Sequence, residues 1–316
     1  MLSVKAVLFV TLGLFAAIFV VVWVASVWRR PDGEAVPDAE GGEGERLALA
    51  PFLNVIGFVV NFFDTLGIGS FATTTSIFKL RRLVPDRLIP GTLNVGLALP
   101  TFVQALIYIS IVEVDMRTLV LMIAAAVAGA WLGAGVVAGW PRRNIQIGMG
   151  IALLLAAVLM LGTQLNLFPL GGDALGVLGA RMAIALAGNF ALGALMTLGI
   201  GLYAPCMILV SLLGMNPKVA FPIMMGSCAF LMPVGGIRFI RKRSFAPHAS
   251  LWLTLGGIPA VVIAGKLVVS LQLGTVRWLV VCVVVYTAIT MLHSAWTERT
   301  RPVAPPAPAF DPSALP

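Results

Sequence analysis

Charge is what this chain has least of. Only 11% of its residues are charged and 59% are hydrophobic, whereas soluble domains carry roughly 25% charged residues. Mean hydropathy is +1.01. These values exclude an ordinary soluble domain. Short alternating strands are missing too, which excludes a transmembrane barrel. Several apolar runs pass the ~18 residues that suggest a membrane span, so the chain reads as an all-α polytopic membrane protein. Cysteine is scarce: Cys206, Cys228 and Cys282 all lie inside apolar runs, which argues against a disulfide framework. An intramembrane enzyme needs paired acids, or a Ser and a His at matching depth. Asp64 is the one acid deep in the apolar portion, and His248 and His293 sit near run ends. No enzyme is expected, nor any cofactor or metal. The GxxxxGK[ST] phosphate loop of ATP-driven machines is also absent. The net charge of +8 requires no nucleic acid, because basic residues gather at cytoplasmic helix ends.

What is present falls into five stretches. Residues 1–30 hold a 25-residue apolar run, Val4 to Trp28, stopped by Arg29-Arg30. Secretory signals have an apolar core of about 7–15 residues, so this run reads as a retained anchor helix. Residues 31–46 carry six of the thirteen acids (Asp32, Glu34, Asp38, Glu40, Glu43, Glu45) among Gly and Pro, the composition of a solvated linker. Residues 47–168 and 181–298 form two similar halves. Residues 299–316 are a Pro-rich tail expected to be disordered.

The halves repeat in register. A shift of 132 places Thr65-Leu66-Gly67-Ile68-Gly69 on Thr197-Leu198-Gly199-Ile200-Gly201, Phe71-Ala72 on Tyr203-Ala204, and Pro85 and Pro90 on Pro217 and Pro222. Nine of 26 positions from Thr65 to Pro90 are identical without a gap. Each copy is an apolar run cut by Gly-x-Gly, and a pair of broken helices at matching positions is the best sequence pointer to a transporter's binding site. Basic residues then set the topology. If each broken segment dips in and returns, Arg81, Arg82 and Arg87 share a side with Arg142-Arg143 and with the cluster Arg238, Arg241, Lys242, Arg243. That agrees with the positive-inside rule. Each half then crosses three times, so the two are expected to be inverted repeats with re-entrant helices in the inner membrane.

At each break glycine lets the backbone leave the helix, and the helix that resumes offers unpaired N–H groups and a partial positive charge. Such ends attract oxyanions without a buried Arg. The expected site comprises Thr65, Gly67, Gly69, Ser70, Thr73 and Thr74, with Thr197, Gly199, Gly201, Tyr203 and Cys206 opposite. Pro205 suits the first turn of the second resumed helix. Asp64, whose counterpart is Met196, either carries a coupling proton or holds the backbone donors of the break. Asn61, Asn94, Gln104, Asn189, Ser211 and Ser227 could line a path. Gly129/Gly133 suit close helix packing, within the chain or across a homodimer.

Phe63-Asp64-Thr65 leading into Gly67-Ile68-Gly69-Ser70, together with the second TLGIG, resembles the TauE/SafE family of sulfite exporters and anion permeases. The resemblance runs from about Ala50 to Trp296. It implies a secondary transporter for sulfite, sulfoacetate or another organosulfonate. Many members carry a longer glycine run after the Asp than this chain does. With a negative interior, about 2.3 kcal/mol per charge per 100 mV drives an anion outward, so export is expected. A passive anion channel and an uptake permease for another organic anion are the alternatives.

Overall fold

A computed structural model describes residues 4–28, 43–66, 69–137, 172–196 and 202–267, with scattered residues between 147 and 167 and between 285 and 296. Expectations for most of the linker, the tail, and the runs Asn144 to Leu167 and Trp278 to Trp296 lie largely or wholly outside the described residues. The described chain is helical: α1 (Val4–Trp28), α2 (Glu43–Thr65), α3 (Ser70–Arg81), α4 (Ile89–Gly96), α5 (Ala98–Ile111), α6 (Met116–Val137), α7 (Gly179–Met196), α8 (Tyr203–Leu212), α9 (Ala220–Arg241) and α10 (Pro247–Leu267). Six of these are long and apolar enough to cross a membrane, and α4 with α5 makes a seventh, bent by 45°. The protein is an all-α polytopic membrane protein.

Small residues set the tightest packing. In a bilayer apolar side chains gain little by leaving lipid, so helices associate through close van der Waals contact between small residues. On α6, a Cβ at Gly129 would collide with the carbonyl of Phe190 on α7, and Gly193 faces Ala126 in the same way. The Gly129/Gly133 face is therefore spent inside the chain. α2 and α10 pack likewise: Gly57 lies against Leu253, Gly256 against the carbonyl of Asn54, and Gly257 against Asn61.

Loop contacts sort the helix ends into two groups. The backbone N–H of Ala246 donates to Thr92 Oγ1 at 2.9 Å, and Gly91 sits against the Ser244 carbonyl. The loop after α3, with Arg82 and Arg87, thus shares an end with Arg238, Arg241, Lys242 and Arg243, as charge asymmetry required. At the other end the N–H of Asp115 donates to the Leu175 carbonyl at 2.9 Å, and Asn216 N–H to that of Ala174 at 2.9 Å. The first broken segment, α2–α3, starts and finishes at the basic end. The second, α7–α8, starts and finishes at the opposite one.

α1 joins this bundle. Its Lys5 Nζ donates to the Ser110 carbonyl at 3.2 Å, Phe15 meets Phe230 edge-to-face at 5.2 Å, and Phe19, fully buried, lies against Gly236.

Candidate functional site

The two breaks meet. A cavity of about 30 Å³ is bounded by Asp64, Gly69, Ser70 and Phe71 from the first, by Met196 and Leu202 from the second, and by Thr101 of α5 and Met224, Met225, Cys228 and Met232 of α9. Thr101 lies midway along the bent α4–α5 pair and Met224–Met232 lie within α9, which puts the cavity in the interior of the bundle. One wall offers oxygen: Asp64, Ser70 and Thr101. The other offers sulfur: Met196, Met224, Met225, Cys228 and Met232, with Cys228 Sγ 3.7 Å from Met196 Sδ. None of the lining residues is Lys, Arg or His.

The first break is built around Asp64. Gly69 has φ 87° and ψ 130°, a left-handed extended conformation that costs any residue with a Cβ of order 1–3 kcal/mol. This turn lets α3 resume with its first N–H facing back toward α2. The Asp64 carboxylate accepts that N–H, from Ser70, and the Ser70 hydroxyl as well. Gln104 Nε2 donates to Asp64 Oδ2 at 2.9 Å and to Thr65 Oγ1 at 3.0 Å. Tyr108 Oη donates to the Thr65 carbonyl, which as a terminal helix carbonyl has no partner within α2. A carboxylate of the chain itself therefore sits on the helix end expected to attract an anion.

The second break carries a different set. α8 begins after Leu202, whose own side chain makes no capping hydrogen bond, and Cys206 N–H returns to the Leu202 carbonyl at 3.0 Å. Pro205 occupies the first turn and removes one donor. Thr197, Gly199 and Gly201, like Gly67 in the first copy, lie outside the described residues, as does the side chain of Tyr203. Cys206 is fully buried and does not line the cavity.

The threonines behave otherwise than expected. Thr73 Oγ1 donates to the carbonyls of Gly69 at 3.1 Å and Ser70 at 2.9 Å, and Thr74 Oγ1 to that of Ser70 at 2.7 Å. Thr65 Oγ1 donates to Asn61 at 2.8 Å. These hydroxyl protons satisfy helix carbonyls, a local competition open to any Ser or Thr, and none of the three residues borders the cavity. Of the path candidates, Asn61 and Asn94 bond their own helices at 2.7 and 2.8 Å. Asn189 ties α7 to the Met122 carbonyl of α6 at 2.7 Å. Gln104 alone among them engages Asp64. Thr101, Met224, Met225, Cys228 and Met232 were not anticipated as lining residues. The repeat register does not point to them either: a shift of 132 carries Thr101 onto Pro233.

In comparisons with known proteins, no curated protein and no solved structure matches the chain. The model of one protein family, described as sulfite exporter TauE/SafE, matches residues 2–160. The matched stretch takes in α1, which the sequence resemblance left out, along with the whole first break, and it stops short of the second half. TauE/SafE is a family of membrane transporters of small anions. With half of its length matched and a helical membrane bundle around two breaks, the chain belongs to the sulfite exporter TauE/SafE family.

Proposed function

We propose that this protein is a secondary carrier that exports small sulfur oxyanions or sulfonates, such as sulfite and sulfoacetate, across the inner membrane. The anion is held in the cavity between the two breaks, and the two halves act as inverted repeats that rock around it. One observation carries this reading: the two broken segments, entering from opposite ends of the bundle, border the same interior cavity. Irregular backbone at membrane depth is tolerated only where it is buried in protein or lines a cavity. The Ser70 hydroxyl and the Cys228 thiol are the donors that face the anion, the Thr101 hydroxyl being held by the Leu97 carbonyl at 2.8 Å, and the start of α8 adds its dipole. Expulsion of an anion from a negative interior is downhill, at about 2.3 kcal/mol per charge per 100 mV. The small cavity favours compact anions.

Sulfite efflux from proteoliposomes tests the reading. Saturable flux that unlabelled sulfite on the far side accelerates is the expected result, with Ser70→Ala lowering it at least several-fold. Flux rising linearly with concentration would identify a channel instead.

A further inference from the structure

The lining of the cavity raises an electrostatic difficulty for any anion. The cavity contains one carboxylate and no cation. Two anions a few ångströms apart in a low-dielectric interior repel strongly, and here both want the same donors. Asp64 already holds the Ser70 N–H and hydroxyl, which are what the start of α3 has to give.

We propose that Asp64 holds the substrate's place as a carboxylate, that anion and proton enter the site as a pair, and that Gln104 turns its amide over to serve both states. In the empty site the carboxylate takes the Ser70 donors and Gln104 Nε2. When an anion arrives, a proton from the water on its side of entry binds one Asp64 oxygen. The neutral acid releases the Ser70 donors to the anion and becomes a donor itself, in need of an acceptor.

That acceptor is present. Gln104 is fully buried, and its Oε1 has no hydrogen-bond partner among the described residues. Buried polar atoms are rarely left so, and each one asks for an explanation. Rotating the amide by half a turn brings Oε1 to the place where Nε2 now meets Asp64 Oδ2 and Thr65 Oγ1. It can then accept from the protonated acid, and from the Thr65 hydroxyl once that proton leaves the Asn61 carbonyl it now serves at 2.8 Å. One side chain thus has a donor for the charged form and an acceptor for the neutral one.

No neighbour can substitute for the proton. Among the described residues, the titratable groups acting on Asp64 are Tyr108 of α5 and Cys228 of α9, the latter itself influenced by Cys206 of α8. Phenol and thiols supply no positive charge. The inference rests on the anion-carrier reading and has an electrical consequence. A monoanion would travel with no net charge, and a dianion with one negative charge, which halves the pull of the membrane potential on it.

Calorimetry on the purified full-length protein decides the matter, with methanesulfonate as probe because it does not titrate near neutrality. Titrations in two buffers of different ionisation enthalpy count the protons bound. Uptake approaching one proton per anion is expected at alkaline pH, with affinity falling about tenfold per pH unit there. Asp64→Asn should abolish both the uptake and the pH dependence. Gln104→Leu, which keeps Asp64 but leaves neither form a side-chain partner at this position, should displace the pH profile while anion binding persists. The wild-type count stands even if a variant fails to fold. Binding without proton uptake from about pH 5 to about pH 9 overturns the pairing and leaves the carrier reading intact. Failure of methanesulfonate, sulfite and thiosulfate alike to bind at any pH overturns both.

Discussion

The two breaks share a sequence pattern and differ in chemistry. In register, Asp64 faces Met196 and Ser70 faces Leu202. The first break is tied by hydrogen bonds: its carboxylate caps α3, Gln104 spans Asp64 and Thr65, and Tyr108 takes the last carbonyl of α2. The second starts its helix from Leu202, an apolar N-cap residue, and presents sulfur. Methionine is flexible and polarizable and adapts to irregular shapes. On the proposed reading the pair divides the work: the oxygen-bearing residues would set the charge balance, and the sulfur-bearing ones would repack around a guest.

Removing the key residue from each break should expose that difference. Asp64→Leu strands the Ser70 N–H, the Ser70 hydroxyl and one of the two Gln104 Nε2 protons in a buried place, a loss of about 3 kcal/mol or more. Met196→Leu nearly conserves volume and should cost less than about 1.5 kcal/mol. Thermal unfolding in detergent compares them, and equal losses would dissolve the distinction. Next comes Gly69→Ala. The φ of 87° makes this about 1–3 kcal/mol destabilising, with transport falling in step as α3 loses its aim.

Tyr108→Phe removes the donor to the Thr65 carbonyl and should lower stability by about 1–2 kcal/mol. Phe221, stacked on the Tyr108 ring at 4.8 Å, should stay in place, so a larger loss would mean that the hydroxyl does more than tie off α2.

The smallest effect belongs to the loop opposite the basic end. Asp115 Oδ1 accepts the Thr118 N–H at 2.8 Å and the Thr118 hydroxyl at 2.7 Å, bonds that hold its carboxyl below the usual 3.8. Because the folded value is depressed, the stabilisation is complete above the ordinary carboxylate value and disappears as pH falls through the folded one. Asp115→Asn should therefore cost a few tenths to about 1 kcal/mol at neutral pH. Its melting temperature should converge on that of the wild type in acid.

Much of this was legible beforehand. Nine identities over 26 positions located both breaks, and the basic clusters grouped the loops of 82–88 and 242–246 at one end. Gly129 showed as a packing residue. Sequence does not say whether a threonine proton looks outward or back at its own helix, and those of Thr73 and Thr74 look back. The two alternatives open for Asp64 turned out to be compatible, since a carboxylate that holds backbone donors is also the group a proton would release. The sulfur wall was hidden because Met224, Met225 and Met232 resemble ordinary core residues until α9 is laid against the breaks.

The central claim is that the anion sits between the breaks. Crystals grown with bromomethanesulfonate, at a concentration that inhibits sulfite flux, test it through the anomalous signal of bromine. The account predicts a peak in the cavity between Ser70 and Cys228. A peak elsewhere, with that cavity empty, would contradict it.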